Sequence, residues 1–335
     1  MSAPWVDHTL RRIESHLRLA SSRGFGVERV GDLMWRVLPR GLAPALPYGK
    51  DTALALMGLV HGNEIQGLDI LAELAEGLAS GWFIPKTSLL FIVGNPEGAR
   101  QGLRYTERDL NRSFARKDPL TTCEERRARE IEPALRRCLY LVDFHQTTQE
   151  SPFPFFIYPY TRASYDWARE IDPRTAMITH WGDPFSTEGV CTDEYLNAHE
   201  GLGLTIELGQ AGISDFKRGA GVSIALRALA SVTRRLDGVH TPTPDHTPGE
   251  IYTFAETIPW PDGHVQLDPG WNNFMPITKG QRLGTRDNTP ILAPTSGFML
   301  FPKYLDAPGH PPQKGRPEEL CRILRRVSEN ELPEK

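Results

Sequence analysis

Between residues 51 and 235, short continuous apolar runs alternate with longer stretches whose apolar positions recur at helical spacing. "TALALMGLV" (52–60) predicts a buried strand. It leads into a segment with Leu68, Leu71, Leu74 and Leu78 on one helical face, closed by Gly81. "SLLFIVG" (88–94) predicts the next strand, stopped by Asn95-Pro96. "CEERRAREIEPALRRCL" (123–139) carries a helical charge pattern, and Pro133 is expected to kink or divide it. "YLVDFH" (140–145), "FPFFIYP" (153–159) and "LGLTIELG" (202–209) read as strands, and "SIALRALASVTRRL" (223–236) as a helix with an apolar stripe. The alternation predicts an α/β fold, a mixed sheet flanked by helices.

The pattern changes at "TPTPDHTPG" (241–249), expected as a linker. Beyond it lie short strand candidates separated by Gly and Pro, with a helix expected only in the last twenty residues. Two domains follow: an α/β domain over 1–240 and a small β-rich domain over 241–335. A chain of 335 residues is long enough for both.

Composition narrows the function classes. A net charge of -4 argues against a general nucleic-acid binder. The basic residues of 116–137 are interleaved with Glu124, Glu125, Glu130 and Glu132, as on a solvated helix face. Cys123, Cys138, Cys191 and Cys321 are scattered without a CxxC pair, which suits reduced thiols. No apolar run approaches the roughly 18 residues of a membrane helix. The opening "MSAPWVDHTLRRIESHL" lacks the apolar core of a secretory signal, so a cytoplasmic protein is expected.

Candidate chemistry gathers at three predicted strand ends. His61 follows one strand, His145 ends another, and Glu207 stands near the end of a third. Ligands of open α/β sheets bind outside the carboxyl ends of the strands, so one crevice should receive all three. His61, Glu64 and His145 form the two-histidine, one-carboxylate set of a catalytic zinc site, which leaves a coordination position for water. Glu207 would then be a free carboxylate able to take the proton of that water. Each piece alone has a plainer reading: a strand cap, a satisfied histidine, a paired structural carboxylate. In "GNPEGARQGLRYTERDLNRSF" (94–114), Arg112 with Asn111 could grip a substrate carboxylate, and Arg104 could stabilise an oxyanion. The plainer reading there is a polar surface loop laced with ion pairs.

Taken together, "HGNE", "NPEGARQGLRYTERDLNRSF", "VDFHQTT" and "TIELGQAG" closely resemble the succinylglutamate desuccinylase/aspartoacylase family, within the zinc-carboxypeptidase superfamily. The resemblance runs through residues 50 to 235 and reaches "NNFMPITKGQRLGT" and "APTSGFMLFP" further on. It implies a zinc-carboxypeptidase-like fold with one Zn2+ on His61, Glu64 and His145, and Glu207 as general base and later acid. It also implies that Arg104 polarises the scissile carbonyl and that Asn111 and Arg112 hold a substrate carboxylate. Asp109 is expected to orient that loop. The implied partner is a small acidic N-acyl amino acid, with no nucleic acid or membrane; a homo-oligomer stays open.

Two stretches point to different substrates. Desuccinylases carry "DLHTAIR" at the third ligand, whereas this chain reads Asp143-Phe-His-Gln-Thr-Thr-Gln149, closer to the aspartoacylase "HNTT". The later "NNFMPITKG" and "FMLFP" resemble the desuccinylase form. N-Succinylglutamate, and with it arginine catabolism, is the first expectation; an aspartoacylase-like deacetylase is the alternative. A carboxypeptidase is disfavoured if the β-rich domain caps the site, and a non-catalytic binding protein is disfavoured by the full set of polar residues. Arg162 and Lys217 are candidate cations in place of the missing arginine, and "HWGDPFSTE" (180–188) is a candidate pocket wall. His180 and His199 are left out of the ligand set because neither falls at a predicted strand end.

Overall fold

The computed structural model describes residues 3–41, 45–239, 249–304 and 317–334. The first half runs α1 (Ala3–Ser22), β1 (Gly26–Gly31), β2 (Met34–Leu38), β3 (Thr52–Gly58), α2 (Gln66–Ser80), β4 (Leu89–Val93), α3 (Pro96–Gln101) and α4 (Cys123–Arg136). Then come β5 (Cys138–Thr147), β6 (Phe155–Pro159), α5 (Arg162–Ile171), β7 (Ala176–His180), α6 (Thr192–Asn197), β8 (Leu202–Gln210) and α7 (Asp215–Leu236). The remaining strands are β9 (Ile251–Pro259), β10 (Val265–Leu267), β11 (Pro276–Ile277), β12 (Arg282–Arg286), β13 (Thr289–Leu292), β14 (Gly297–Leu300) and β15 (Glu319–Val327).

A 12-stranded mixed sheet forms the spine, in the order β1-β2-β4-β3-β5-β8-β6-β7-β9-β15-β14-β11. β10, β12 and β13 form a separate three-stranded sheet. β3 lies between β4 and β5, parallel to both, and every residue of its "TALALMG" is buried. Helices on both faces explain why it reads as a continuous apolar run rather than an alternating one. One face is covered by α1, α2, α5 and α7, whose Leu10, Leu71, Trp167 and Ala228 enter the main core. The other is covered by α4 and α6 through Ile131, Leu135 and Leu196.

α4 runs unbroken past Pro133 to Arg136. Thr122 and Glu125 close a reciprocal capping box at its start, and Ile131 and Leu135 are buried on either side of the proline. Anchors on both sides outweigh the one backbone hydrogen bond that proline forfeits. The helix expected in the last twenty residues is instead β15, hydrogen-bonded to β9 on one side and β14 on the other. Leu320, Cys321, Ile323 and Leu324 are all buried there, so strand pairing overrides a helical charge pattern. Through β9, which pairs with β7, the C-terminal strands extend the main sheet. The expected linker lies outside the described residues as far as residue 248.

Candidate metal centre and active site

Leu59 leaves the end of β3 with φ 64°, a left-handed conformation that turns the chain sharply out of the sheet. The His61 carbonyl accepts from the Glu64 amide at 3.0 Å, so "HGNE" is one tight turn. Gly62 donates to the Arg104 carbonyl at 2.9 Å, and a Cβ there would overlap the backbone of Gly98 and Ala99. Only glycine lets the turn lie this close to the 98–104 segment. A second close approach, Gly67 against Gly58, seats the start of α2 directly on the end of β3: a Cβ on Gly58 would stand 2.7 Å from the Gly67 carbonyl carbon.

His145 lies inside β5, two residues short of its end, and pairs with Glu207 of the parallel β8. The pairing sets these two side chains next to each other on the sheet. His61, Glu64 and His145 are buried, with donor atoms within 4.8 Å of one another. Nδ1 of His61 is 2.8 Å from Glu64 Oε1, Nδ1 of His145 is 3.1 Å from Glu64 Oε2, and the two Nδ1 atoms are 3.2 Å apart. A tetrahedral ion with bonds near 2.1 Å separates its donors by roughly 3.4 Å. The spacing and the two-nitrogen, one-oxygen set therefore fit a divalent cation.

Each histidine also has a carboxylate behind it. Nε2 of His61 is 3.1 Å from Asp109 Oδ1, and Nε2 of His145 is 3.0 Å from Asp143 Oδ2, the latter outside good hydrogen-bond angles. Burial pushes the Glu64 carboxyl up, but His61 and His145 outweigh it and hold it well below the usual range. Burial likewise pushes His145 down, and Asp143 and Glu64 more than reverse that. Arg104 completes the group, donating to Glu64 Oε1 at 3.0 Å and pairing with Asp109 Oδ2 at 3.3 Å. Asp109 also caps the turn Leu110–Arg112 by accepting from the Asn111 amide at 2.8 Å.

Glu207 is buried beside this group, and its Oε2 has no hydrogen-bond partner. Burial, then the charge of Glu64, pushes its carboxyl up to about 8. Seven of the residues singled out from the sequence, His61, Glu64, Arg104, Asn111, Arg112, His145 and Glu207, line one cavity. The Asn111 Oδ1 accepts from the Thr192 amide at 3.1 Å, which turns the amide's NH2 end away from α6. Arg112 donates to the Asn111 carbonyl at 2.8 Å and lies 5.1 Å over the Phe185 ring.

A second donor group, Glu107, Cys123 and Glu124, lies outside the cavity. There Glu124 is occupied by the amides of Thr106, Glu107 and Arg108, and burial pushes the Cys123 thiol up to about 12. It is a poor competitor for an ion.

Residues 50–233, over half of the chain, match the family model of the succinylglutamate desuccinylase/aspartoacylase catalytic domain. The chain belongs to this family. It is 29% identical over 222 residues to a succinylglutamate desuccinylase of Serratia proteamaculans, a match covering 60% of this chain and 65% of that protein. It is 26% identical over 279 residues to one of Pseudomonas fluorescens, covering 76% and 81%. In fold it is similar to the crystal structure of succinylglutamate desuccinalase from Vibrio parahaemolyticus, with a TM-score of 0.68 at 19% identity, covering 91% of this chain and 89% of that one. The mixed sheet flanked by helices, with a small sheet near the C-terminal end, is thus the family's fold.

The family match ends at residue 233, and part of the cavity wall comes from beyond it. Phe185, from the 180–188 stretch, lines the cavity, and Ser186 and Thr187 are held by Glu318. Phe301, Lys303 and Glu319 also line it, from β14 and β15 or just beyond. Nothing in their spacing marks them, because pairing across the sheet, not sequence distance, brings them in. Arg162 and Lys217 are elsewhere: Arg162 pairs with Asp166 on the exposed face of α5, and Lys217 donates to the Gln210 and Gly212 carbonyls. His180 does end a strand, contrary to expectation, but it stacks against Phe254 outside the cavity. No helix among the described residues is long and apolar enough to cross a membrane.

Proposed function

We propose that the chain is a zinc-dependent amidohydrolase that cleaves the amide of an acidic N-acyl amino acid, with N-succinylglutamate the first substrate to test. What carries the reading is one cavity holding a two-histidine, one-carboxylate set, an unpartnered buried carboxylate and a guanidinium free of any acidic partner among the described residues. The desuccinylase names of the relatives in Serratia and Pseudomonas support the acyl group, and would place the reaction in arginine breakdown.

A zinc ion on His61, Glu64 and His145 would lower the pKa of water and polarise the scissile carbonyl. Asn111 and Arg112 hold the substrate carboxylate and so fix the amide over the buried triad. Glu207 takes a proton from the attacking water as the new C–O bond forms. It returns that proton to the amide nitrogen as the C–N bond breaks, releasing a carboxylic acid and a free amino acid. Arg104, held by Glu64 and Asp109, presents its guanidinium to the negative charge that develops on the carbonyl oxygen. Four free thiols suit a reducing compartment, which supports a cytoplasmic location. The C-terminal residues at the cavity support the proposal that 241–335 serves as a cap.

The test is release of free amino acid by the zinc-loaded protein from N-succinylglutamate, N-acetylaspartate, N-acetylglutamate and neutral N-acetyl amino acids. Preferential cleavage of N-succinylglutamate is expected. Release from none of them refutes the reading.

A further inference from the structure

The cavity is lined by four carboxyl groups, Glu64, Asp193, Glu207 and Glu319, and three basic side chains, Arg104, Arg112 and Lys303. Three of these seven groups are ion-paired. Glu64 pairs with Arg104 at 3.0 Å, and Glu319 pairs with Arg322, outside the cavity lining, at 2.6 Å. Two cations are left over. Arg112 touches only a carbonyl and the Cys191 sulfur at hydrogen-bond distance. The Lys303 ammonium sits 5.4 Å from the centre of the Phe301 ring and has no hydrogen bond or ion pair to its side chain among the described residues. Burial, with Arg104 and Arg112 nearby, pushes it down to about 8 although Glu319 opposes this. An ammonium in such a place is costly unless an anion comes to it.

We propose that Lys303 is a specificity-determining residue that receives a second carboxylate of the substrate, beyond the one held by Asn111 and Arg112. The inference rests on the proposed function for its first carboxylate and adds the residue that meets the second carboxylate of such a substrate. Gln146 is buried, its backbone N–H donating to Glu64 and its side-chain oxygen accepting from the Gln66 backbone N–H, and Thr147 and Thr148 line the cavity without charge. Lys303 reaches the same cavity from a segment more than 150 residues further along the chain. The second carboxylate can stand on the acyl group or on the amino-acid side chain, and the substrates below separate these.

The experiment compares the zinc-loaded wild type with Lys303→Met, a length-matched neutral change, and Lys303→Arg, which keeps the charge. N-Succinylalanine carries the extra carboxylate on the acyl group, N-acetylglutamate on the side chain, and N-acetylalanine on neither. In Lys303→Met, the kcat/KM ratio of the preferred dianionic substrate to N-acetylalanine should fall about 30-fold or more, the low end for truncating one partner of a buried charged hydrogen bond. Lys303→Arg should recover much of it. Whichever ratio collapses names the carrier. An equal loss on all three substrates, or no loss on any, overturns the assignment. A binding arm needs no turnover: calorimetric titration with succinate and with butyrate, its monocarboxylate counterpart. Succinate should bind Lys303→Met about tenfold or more weakly with butyrate little altered; equal effects on both overturn the proposal. If the wild type cleaves no amide, the hydrolase reading fails, and the succinate–butyrate contrast still decides Lys303.

Discussion

Asp109 offers the most demanding test of the metal centre, because two groups compete for one nitrogen. Nε2 of His61 has Arg104 Nη2 at 2.7 Å and Asp109 Oδ1 at 3.1 Å. If His61 gives its Nδ1 lone pair to an ion, Nε2 must carry the proton. A guanidinium, which can only donate, then cannot be its partner, whereas the Asp109 carboxylate can. Metal binding should therefore depend on Asp109, which never touches the ion. Losing such an outer partner typically costs about 10- to 100-fold in metal affinity, or about 1.4–2.7 kcal/mol. Asp109→Asn keeps one oxygen for the Asn111 amide but loses the charge facing His61 and Arg104, so it should fall near the tenfold end. Asp109→Ala also removes the cap on the Leu110–Arg112 turn and should approach 100-fold. Competition against a chromophoric zinc chelator at fixed pH measures both, with circular dichroism checking that the fold persists. Affinities within about twofold of wild type for both variants would refute the tautomer argument.

Three further outcomes are expected. Glu207→Gln should keep its metal while turnover drops about 100-fold or more, the usual contribution of a general base; metal analysis beside a single-turnover assay checks this, and near-normal rates exclude Glu207 from proton transfer. Gly62→Ala forces a methyl into the Gly98–Ala99 backbone and should cost about 1–3 kcal/mol, read as a lower urea midpoint; an unchanged midpoint would mean the turn relaxes freely. Asp193 is buried, and burial followed by Glu194 raises its carboxyl from 3.8 to about 7, so the folded state holds a proton that the unfolded chain has released. Stability linked to this group should fall as pH rises from about 4 to about 7 and stay flat above. Asp193→Asn should remove that slope and be the more stable form at pH 8; a parallel pH dependence of Tm in both proteins contradicts it.

Much of the parallel half is legible in the chain because β3 and β4 are uninterrupted apolar runs and α2 repeats leucine at helical spacing. The candidate ligand set is legible because β3 ends beside its own turn, so His61 and Glu64 share one local structure. Local patterns say less where tertiary pairing decides. β15 carries helical charges yet becomes a strand because β9 and β14 saturate both of its edges. Nothing in the apolar pattern marks β1, which is largely exposed and so has little periodicity to show. Lys303 is invisible for a related reason: no spacing rule links it to His61, and Arg162 and Lys217 are nearer in sequence though not in space.

The division of the cavity wall between early and late segments has a consequence for synthesis. His61, Glu64, His145 and Glu207 have all been made once residue 207 is added, while β15 is complete only at Val327, 327 − 207 = 120 residues later. At ~5–20 residues per second that interval lasts roughly 6–24 s. A ribosome-bound chain thus carries every side chain of the proposed metal centre well before it owns Lys303 or the Glu318 clasp on the 186–187 loop. On the proposed roles, a chain released too soon would hold the groups for hydrolysis and for the first substrate carboxylate without the one that receives the second.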